Sequence, residues 1–263
     1  MQTFHSAPPA YTGCLNCGGP RYGAYCHLCG QHHLEGRPTV GGIMKEFLTR
    51  TLSLESGLVH TFVALTLRPG RMIREYACGK RQQFTNPVGY LMLSAAASVA
   101  VWPLRERSFL EGAARTAGDD KLWDNVFLQV TTALQVHPVL SALLVCCFFV
   151  PLQRLLFAGQ ITIAESFVYA LFLFGHAIML ESLLTPVAAL LSTDSNSVLD
   201  NASSVVLLYL LVAAAWGYFG PRFSTFLKTA VVIIGACLGL VLVLVTVAGA
   251  WYLVLLIGQG ATG

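Results

Sequence analysis

The chain has 263 residues, of which 55% are hydrophobic and 11% charged, with a formal net charge of +3. Soluble domains carry about 25% charged residues, and the mean hydropathy here is +0.65. Too little polar surface is available to face water on all sides, so a soluble globular domain is excluded and lipid is expected to solvate much of the chain.

Residues 1–12, with Pro8 and Pro9, read as a disordered start, and the first 40 residues lack the apolar stretch of a signal peptide. Two Cys-x2-Cys-Gly turns follow, Cys14-Leu15-Asn16-Cys17-Gly18 and Cys26-His27-Leu28-Cys29-Gly30. Turns of this kind aim backbone amides at the sulfurs, and the glycines relieve crowding where the chain reverses. Two of them clamp one ion tetrahedrally. Four thiolates leave no open position, so the predicted site is structural rather than catalytic. Zinc is the expected ion, with iron as the alternative for a tetrahedral sulfur set. So small a module draws its folding energy from the metal.

A polar linker over 32–38 leads to an apolar stripe, Ile43, Phe47, Leu54, Leu58, Phe62 and Leu65. The pattern predicts an amphipathic helix on the membrane surface or against the bundle. Arg68-Pro69-Gly70 is expected to stop it, and a short basic segment, Arg71 to Arg81, follows. The N-terminal module thus covers 1–38 and the amphipathic and basic segment 39–86. The membrane bundle covers 87–263, with spans at about 87–104, 139–157, 164–184, 205–218 and 227–256. The third span is left open to extend past Pro186 to Leu191. Residues 105–136 read as an interfacial helix. The fold class is an α-helical integral membrane protein of about five transmembrane helices, preceded by a small four-cysteine zinc ribbon and an amphipathic interfacial helix.

Reduced thiolates put the N-terminus in the cytoplasm. Residues 1–90 hold nine Lys/Arg, and Arg154, Arg222 and Lys228 flank the other connections on that side. The 192–204 loop, on the far side, holds Asp194 and Asp200 and no Lys/Arg. Loop 105–136, with four Lys/Arg, is the exception to a positive-inside pattern. Five spans from a cytoplasmic N-terminus put the C-terminus outside.

Two blocks carry a resemblance. One is Cys14–Cys17 with Tyr25-Cys26-His27-Leu28-Cys29-Gly30-Gln31. The other is Leu67-Arg68-Pro69-Gly70, Ile73-Arg74-Glu75-Tyr76, Gly79-Lys80-Arg81 and Phe84-x-Asn86-Pro87. Together they resemble a bacterial family of uncharacterised integral membrane proteins, catalogued as a domain of unknown function. The resemblance implies a ribbon, a surface helix and several spans in the bacterial inner membrane. It implies no activity.

Arg68, Arg71, Arg74, Lys80 and Arg81 concentrate positive charge beside the first span. Such clusters attract anionic lipid headgroups, and arginine forks also suit a defined phosphate pocket. Glu75 is positioned to pair with Arg71 or Arg74. Glu165, His176 and Glu181 are ionisable groups in or near the third span, where such groups are functional candidates. Against that, Glu165 is expected to pair with Arg154 and His176 to bond to a neighbouring span. Cys146, Cys147 and Cys237 lie in apolar runs and read as small buried hydrophobes.

No nucleophile elbow, phosphate loop or catalytic metal motif is present. The expected function is a non-enzymatic membrane scaffold or adaptor. Its partners would be anionic lipid headgroups, a protein at the ribbon and a second copy of the chain; nucleic acid is not expected. The alternatives are a small transporter or channel using Glu165 and His176, and a membrane enzyme acting on a phosphorylated lipid or isoprenoid.

Overall fold

The computed structural model describes residues 13–20, 24–31, 39–41, 57–116, 126, 129–130, 134, 137–191 and 195–260. The expected disordered start, the linker and most of the predicted surface helix before Gly57 lie outside these residues. Among the described residues there are seven helices and no strand: α1 (Leu58–Leu67), α2 (Pro69–Ala77), α3 (Pro87–Thr116), α4 (Pro138–Leu156), α5 (Ile163–Leu191), α6 (Ser195–Phe219) and α7 (Phe223–Gly260).

Four helices are long and apolar enough to cross a membrane: Pro87–Leu104, Val139–Leu156, Ile163–Leu190 and Phe223–Val254. The expected span at 205–218 lies in α6, of which Ser204–Phe219 is a shorter apolar stretch. Helix α7 has 38 residues, about 57 Å at 1.5 Å per residue, well beyond a hydrocarbon core of about 30 Å.

Two boundaries differ from the sequence reading, and one that it left open, the end of the third span, is decided. Helix α3 runs on to Thr116, so the proposed interfacial helix begins as an extension of the first span; the rest of 105–136 is largely outside the described residues. Pro103 inside α3 costs one backbone bond yet does not end the helix. Helix α5 is continuous through Pro186 to Leu191. The 192–204 loop contracts, because α6 already starts at Ser195.

The largest departure lies in the basic segment. Arg68 does break the helix, with φ −151° and ψ 61°. Pro69 then sits at the first position of a new helix, α2, where its missing N–H and fixed φ cost nothing. The Arg71–Arg81 segment is therefore mostly helical. Its apolar side, Met72, Ile73, Tyr76 and Ala77, is buried.

Helices α1 and α2 do not lie flat on the bundle. They pack against α5 and α6. At the start of α1, Gly57 rests against the backbone of Phe84 and Thr85. The Thr61 hydroxyl donates to Gly57 O at 2.7 Å and accepts from Thr85 N at 2.9 Å. His60 stacks on Phe84 at 5.1 Å. Near the far end of α1, Thr66 O accepts from the Tyr209 hydroxyl at 3.1 Å. The chain then turns back, and Gly70 meets the backbone of Ala214, Gly217 and Tyr218 on α6. Asn86 caps α3 by accepting from Val88 N at 2.9 Å, with Pro87 next in line.

The core joins these elements. Tyr76 meets Phe172 edge-on at 5.1 Å, and Phe149 stacks on Tyr169 at 6.1 Å. Phe157 stacks on Phe219 at 3.9 Å, where α4 and α6 end together. This end of the bundle, with the starts of α5 and α7, also carries the cysteine module and is termed the ribbon end.

Candidate metal centre and intramembrane polar groups

The two Cys-x2-Cys-Gly turns fold alike. Cys14 N donates to Gly19 O at 2.7 Å and Gly18 N to Cys14 O at 2.8 Å. Cys26 N donates to Gln31 O and Gly30 N to Cys26 O, both at 2.8 Å. Gly18 and Gly30 have φ of 76° and 71°, a region that a Cβ makes costly. Gly13 and Pro20 form an isolated antiparallel bridge across the base of the first turn.

The four sulfurs lie within 4.8 Å of one another. Cys14 and Cys29 are 3.7 Å apart, and Cys17 and Cys26 are 3.6 Å apart. A tetrahedron with metal–sulfur bonds of about 2.3 Å has edges of about 3.8 Å. A disulfide would need about 2.05 Å. The geometry therefore fits a four-thiolate ion site, with no histidine in the set among the described residues. At Cys26 the Cys29 N–H, joined by that of Leu28, outweighs desolvation and holds the thiol down at about 6. At Cys17 the Gly19 N–H also pulls down, but desolvation and the other three thiols outweigh it and push it up to about 12. Four negative sulfurs cannot coexist unaided, and a divalent cation removes that conflict.

The module is fastened to the bundle by its last residue. The buried Gln31 side chain donates from Nε2 to Gly79 O at 2.8 Å. Its Oε1 accepts from Arg81 N at 3.2 Å and Gln82 N at 3.3 Å. Leu15, at the tip of the first turn, lies on Gly79, whose φ is 103°. The Gly30-Gln31 and Gly79-Lys80-Arg81 motifs, 48 residues apart, thus form a single contact. Sequence reasoning singled out both without pairing them. The signal was present in a polar Gln that closes an otherwise apolar-tipped knuckle. On the second turn, Leu28 and Tyr25 remain exposed.

The basic residues do not converge on one pocket. Arg68 is exposed, and Arg71 Nε donates to Glu75 Oε1 at 3.1 Å. The Arg74 guanidinium lies over the Tyr218 ring at 5.8 Å. Arg81 is buried, 5.3 Å over the Tyr76 ring. Lys80 is half-buried. Arg81 therefore faces the interior while Arg68 and Arg71 face out.

The intramembrane candidates also separate. His176 is fully buried. Its Nδ1 is 2.8 Å from the Tyr90 hydroxyl and its Nε2 is 3.1 Å from Thr66 Oγ1. Thr66 gives its single proton to Phe62 O at 2.9 Å. It can therefore only accept from His176, which assigns the N–H to Nε2 and leaves Nδ1 to accept from Tyr90. One imidazole ties α1 and α3 to α5. Glu165 Oε2 accepts from Thr162 N at 2.8 Å, while Thr162 Oγ1 accepts from Glu165 N at 3.2 Å. This reciprocal pair is a capping box at the start of α5. Its signature, Thr162-Ile163-Ala164-Glu165, was legible in the sequence. Glu165 and His176 are 11 residues apart on one helix, about 16 Å, so they form no joint site. Glu181 stands half-buried in the far half of α5.

Of the scattered cysteines, Cys146 is buried, whereas Cys78, Cys147 and Cys237 are exposed. The reading of Cys147 and Cys237 as buried hydrophobes is corrected. Both lie on the outer face of long apolar helices, a surface that lipid would cover.

These features define an α-helical membrane protein with a four-cysteine module held on its ribbon end. Residues 55–99 match the model of a family described as "Protein of unknown function (DUF3667)". The match places that stretch in an uncharacterised family, and it coincides with α1, α2, the turn after them and the first part of α3. No curated protein and no solved structure matches the chain.

Proposed function

We propose that the chain is a non-enzymatic scaffold of the bacterial inner membrane, in which a zinc-clamped cap on the cytoplasmic side holds the membrane-embedded helical segment α1–α2 against the spans. Five helices cross the membrane in this reading, the fifth being the apolar part of α6. The N-terminus is cytoplasmic and the C-terminus outside. The basic segment around α2 engages anionic lipid headgroups, and the exposed face of the second knuckle, with Leu28, is where a protein partner would dock.

The observation that carries the reading is the Gln31 clamp. It makes the metal module a fastening for the chain's own membrane segment. The groups that would serve transport support the same reading, since both ring nitrogens of His176 are engaged between helices and Glu165 is engaged at a helix start. Zinc is preferred because the donor set is four thiolates in a closed tetrahedron.

Elemental analysis of the purified full chain is expected to find one zinc per molecule, lost in Cys14→Ser. A periplasmically active reporter fused after Gly263 is expected to work there. A cytosolic C-terminus or absence of zinc and iron would refute the arrangement. Proteoliposome ion flux that depends on His176 would favour the transporter instead.

A further inference from the structure

We propose that α1 and α2 form a re-entrant hairpin whose tip residue, Arg68, binds the phosphate of a membrane phospholipid below the level of the surrounding headgroups. This rests on the membrane-embedded, lipid-binding reading given above and adds a site to it.

The depth follows from helix register. Thr66 bonds to Tyr209 and to His176. Tyr209 is ten residues before the end of α6 at Phe219, about 15 Å along the helix. His176 is thirteen residues past the start of α5 at Ile163, about 20 Å. Those helix ends mark the ribbon-end boundary, because Arg154, Arg222 and Lys228 cluster there. Side-chain reach shortens the distance but leaves Thr66 well inside. The return path agrees: Gly70 meets Ala214 to Tyr218, and Arg74 reaches Tyr218. Both contacts lie nearer the ribbon end than Tyr209.

The outward surface of the hairpin suits hydrocarbon. Val59, Val63 and Leu67 form an i, i+4, i+8 stripe on α1 and are exposed, Val59 at 72% and Leu67 at 71%. On α6, Val205 and Leu208, just before Tyr209 in the chain, are exposed as well. An apolar face of this kind is stable only against lipid or protein.

Arg68 sits at the tip of this apolar wedge, two residues past Thr66. It is exposed, and among the described residues its side chain has no hydrogen-bond or ion-pair partner. An unpaired guanidinium at that depth is expensive. The neighbouring cations are otherwise disposed: Arg71 pairs with Glu75, Arg74 covers Tyr218 and Arg81 is buried. The one abundant anion able to reach the tip through hydrocarbon is a lipid phosphate, whose oxygens match the guanidinium fork. The leaflet would dip locally to bring it there, as it does around other intramembrane arginines.

The test is native mass spectrometry of the full chain purified with mixed phosphatidylglycerol and phosphatidylethanolamine. Arg68→Gln is expected to weaken lipid retention roughly tenfold, the worth of one charge-assisted phosphate contact, while Arg71→Gln, whose charge is already paired with Glu75, is expected to weaken it far less. Arg68→Lys is expected to restore part of it. A benzoylphenylalanine photo-crosslinker in place of Leu67 is expected to capture acyl chains. Unchanged retention in Arg68→Gln, or no acyl adduct at position 67, overturns the proposal. Equal losses in Arg68→Gln and Arg71→Gln would also overturn it, while leaving the general basic-segment reading in place. Displacement of the lipid by excess inorganic phosphate would identify a free-anion site and overturn it. A wild-type chain that retains no phospholipid would refute both readings.

Discussion

Substitution of one methyl group at Gly70 tests the hairpin's seat directly. A Cβ there would lie 2.6 Å from Tyr218 N and 2.7 Å from the carbonyl carbon of Gly217, and would clash with Ala214 O. All three are backbone atoms of helix α6, so none can rotate away. Ordinary contact for such a pair begins near 3.4 Å. Helices α2 and α6 must therefore separate by about an ångström, which also makes room for a Cβ at Gly217, otherwise 2.9 Å from Gly70 Cα. Overpacking typically costs about 1–3 kcal/mol, and a rigid partner puts Gly70→Ala at or above the upper end. Gly217→Ala meets the same backbone and is expected to cost a similar amount. The double variant should cost clearly less than the two singles added, because the first methyl already opens the gap that the second needs. Gly89→Ala, with nothing within 4 Å of its Cβ, is the control and should melt like the parent. Thermal unfolding in detergent, followed by loss of the monodisperse peak, reads all four chains. A parental melting temperature for Gly70→Ala, or strict additivity with Gly217→Ala, would mean that the two backbones do not touch.

Gln31→Ala removes three hydrogen bonds to the 79–82 turn, at about 1 kcal/mol each. Amide exchange at Arg81 and Gln82 should accelerate while the bundle's melting is preserved; unchanged protection there would disprove the clamp. Acid should release the metal. Cys26 ionises at about 6 against an ordinary 9.0. A lowered thiol value favours the fold above the ordinary value, and that contribution is lost as pH falls from about 9 through about 6. The raised Cys17 thiol loses its contribution only as pH rises toward about 12, so the acid limb belongs to Cys26. Protons compete for the thiolates in the same direction, so a zinc indicator should report release on acidification from neutral pH; release on alkalinisation instead would reverse the sign. Glu165→Gln keeps a capping-box acceptor and should be nearly neutral, whereas Glu165→Ala should cost about 1 kcal/mol. Equal large losses in both would point to a role for the charge itself.

Much of this architecture follows from local chemistry. The cysteine spacing, with Gly18 and Gly30 after each pair, dictates two identical turns, because only that chain path brings four sulfurs to one point. Long apolar runs dictate spanning helices, since a lipid-facing backbone must satisfy its own hydrogen bonds. Asn86-Pro87 marks a helix start through a side-chain cap and a residue that needs no donor. Thr162-Ile163-Ala164-Glu165 encodes its capping box just as locally, although the hydrophobic pattern around Glu165 drew attention to its charge instead.

What the tertiary structure decided is where short elements go. Helices α1 and α2 have 10 and 9 residues, too few to span a membrane; α1 is apolar on its exposed side as well, while α2 is amphipathic enough to lie on a surface. Whether such a pair rests on the surface or enters the bundle depends on a docking site. That site is assembled from remote pieces: Gly217 flat against Gly70, His176 held by Tyr90 and bonded to Thr66, and Gln31 reaching the 79–82 turn. Each partner is a single residue that the local chain does not constrain. Sequence periodicity carries the faces of helices, but the meeting of two glycines on different helices becomes visible only when both backbones are in place.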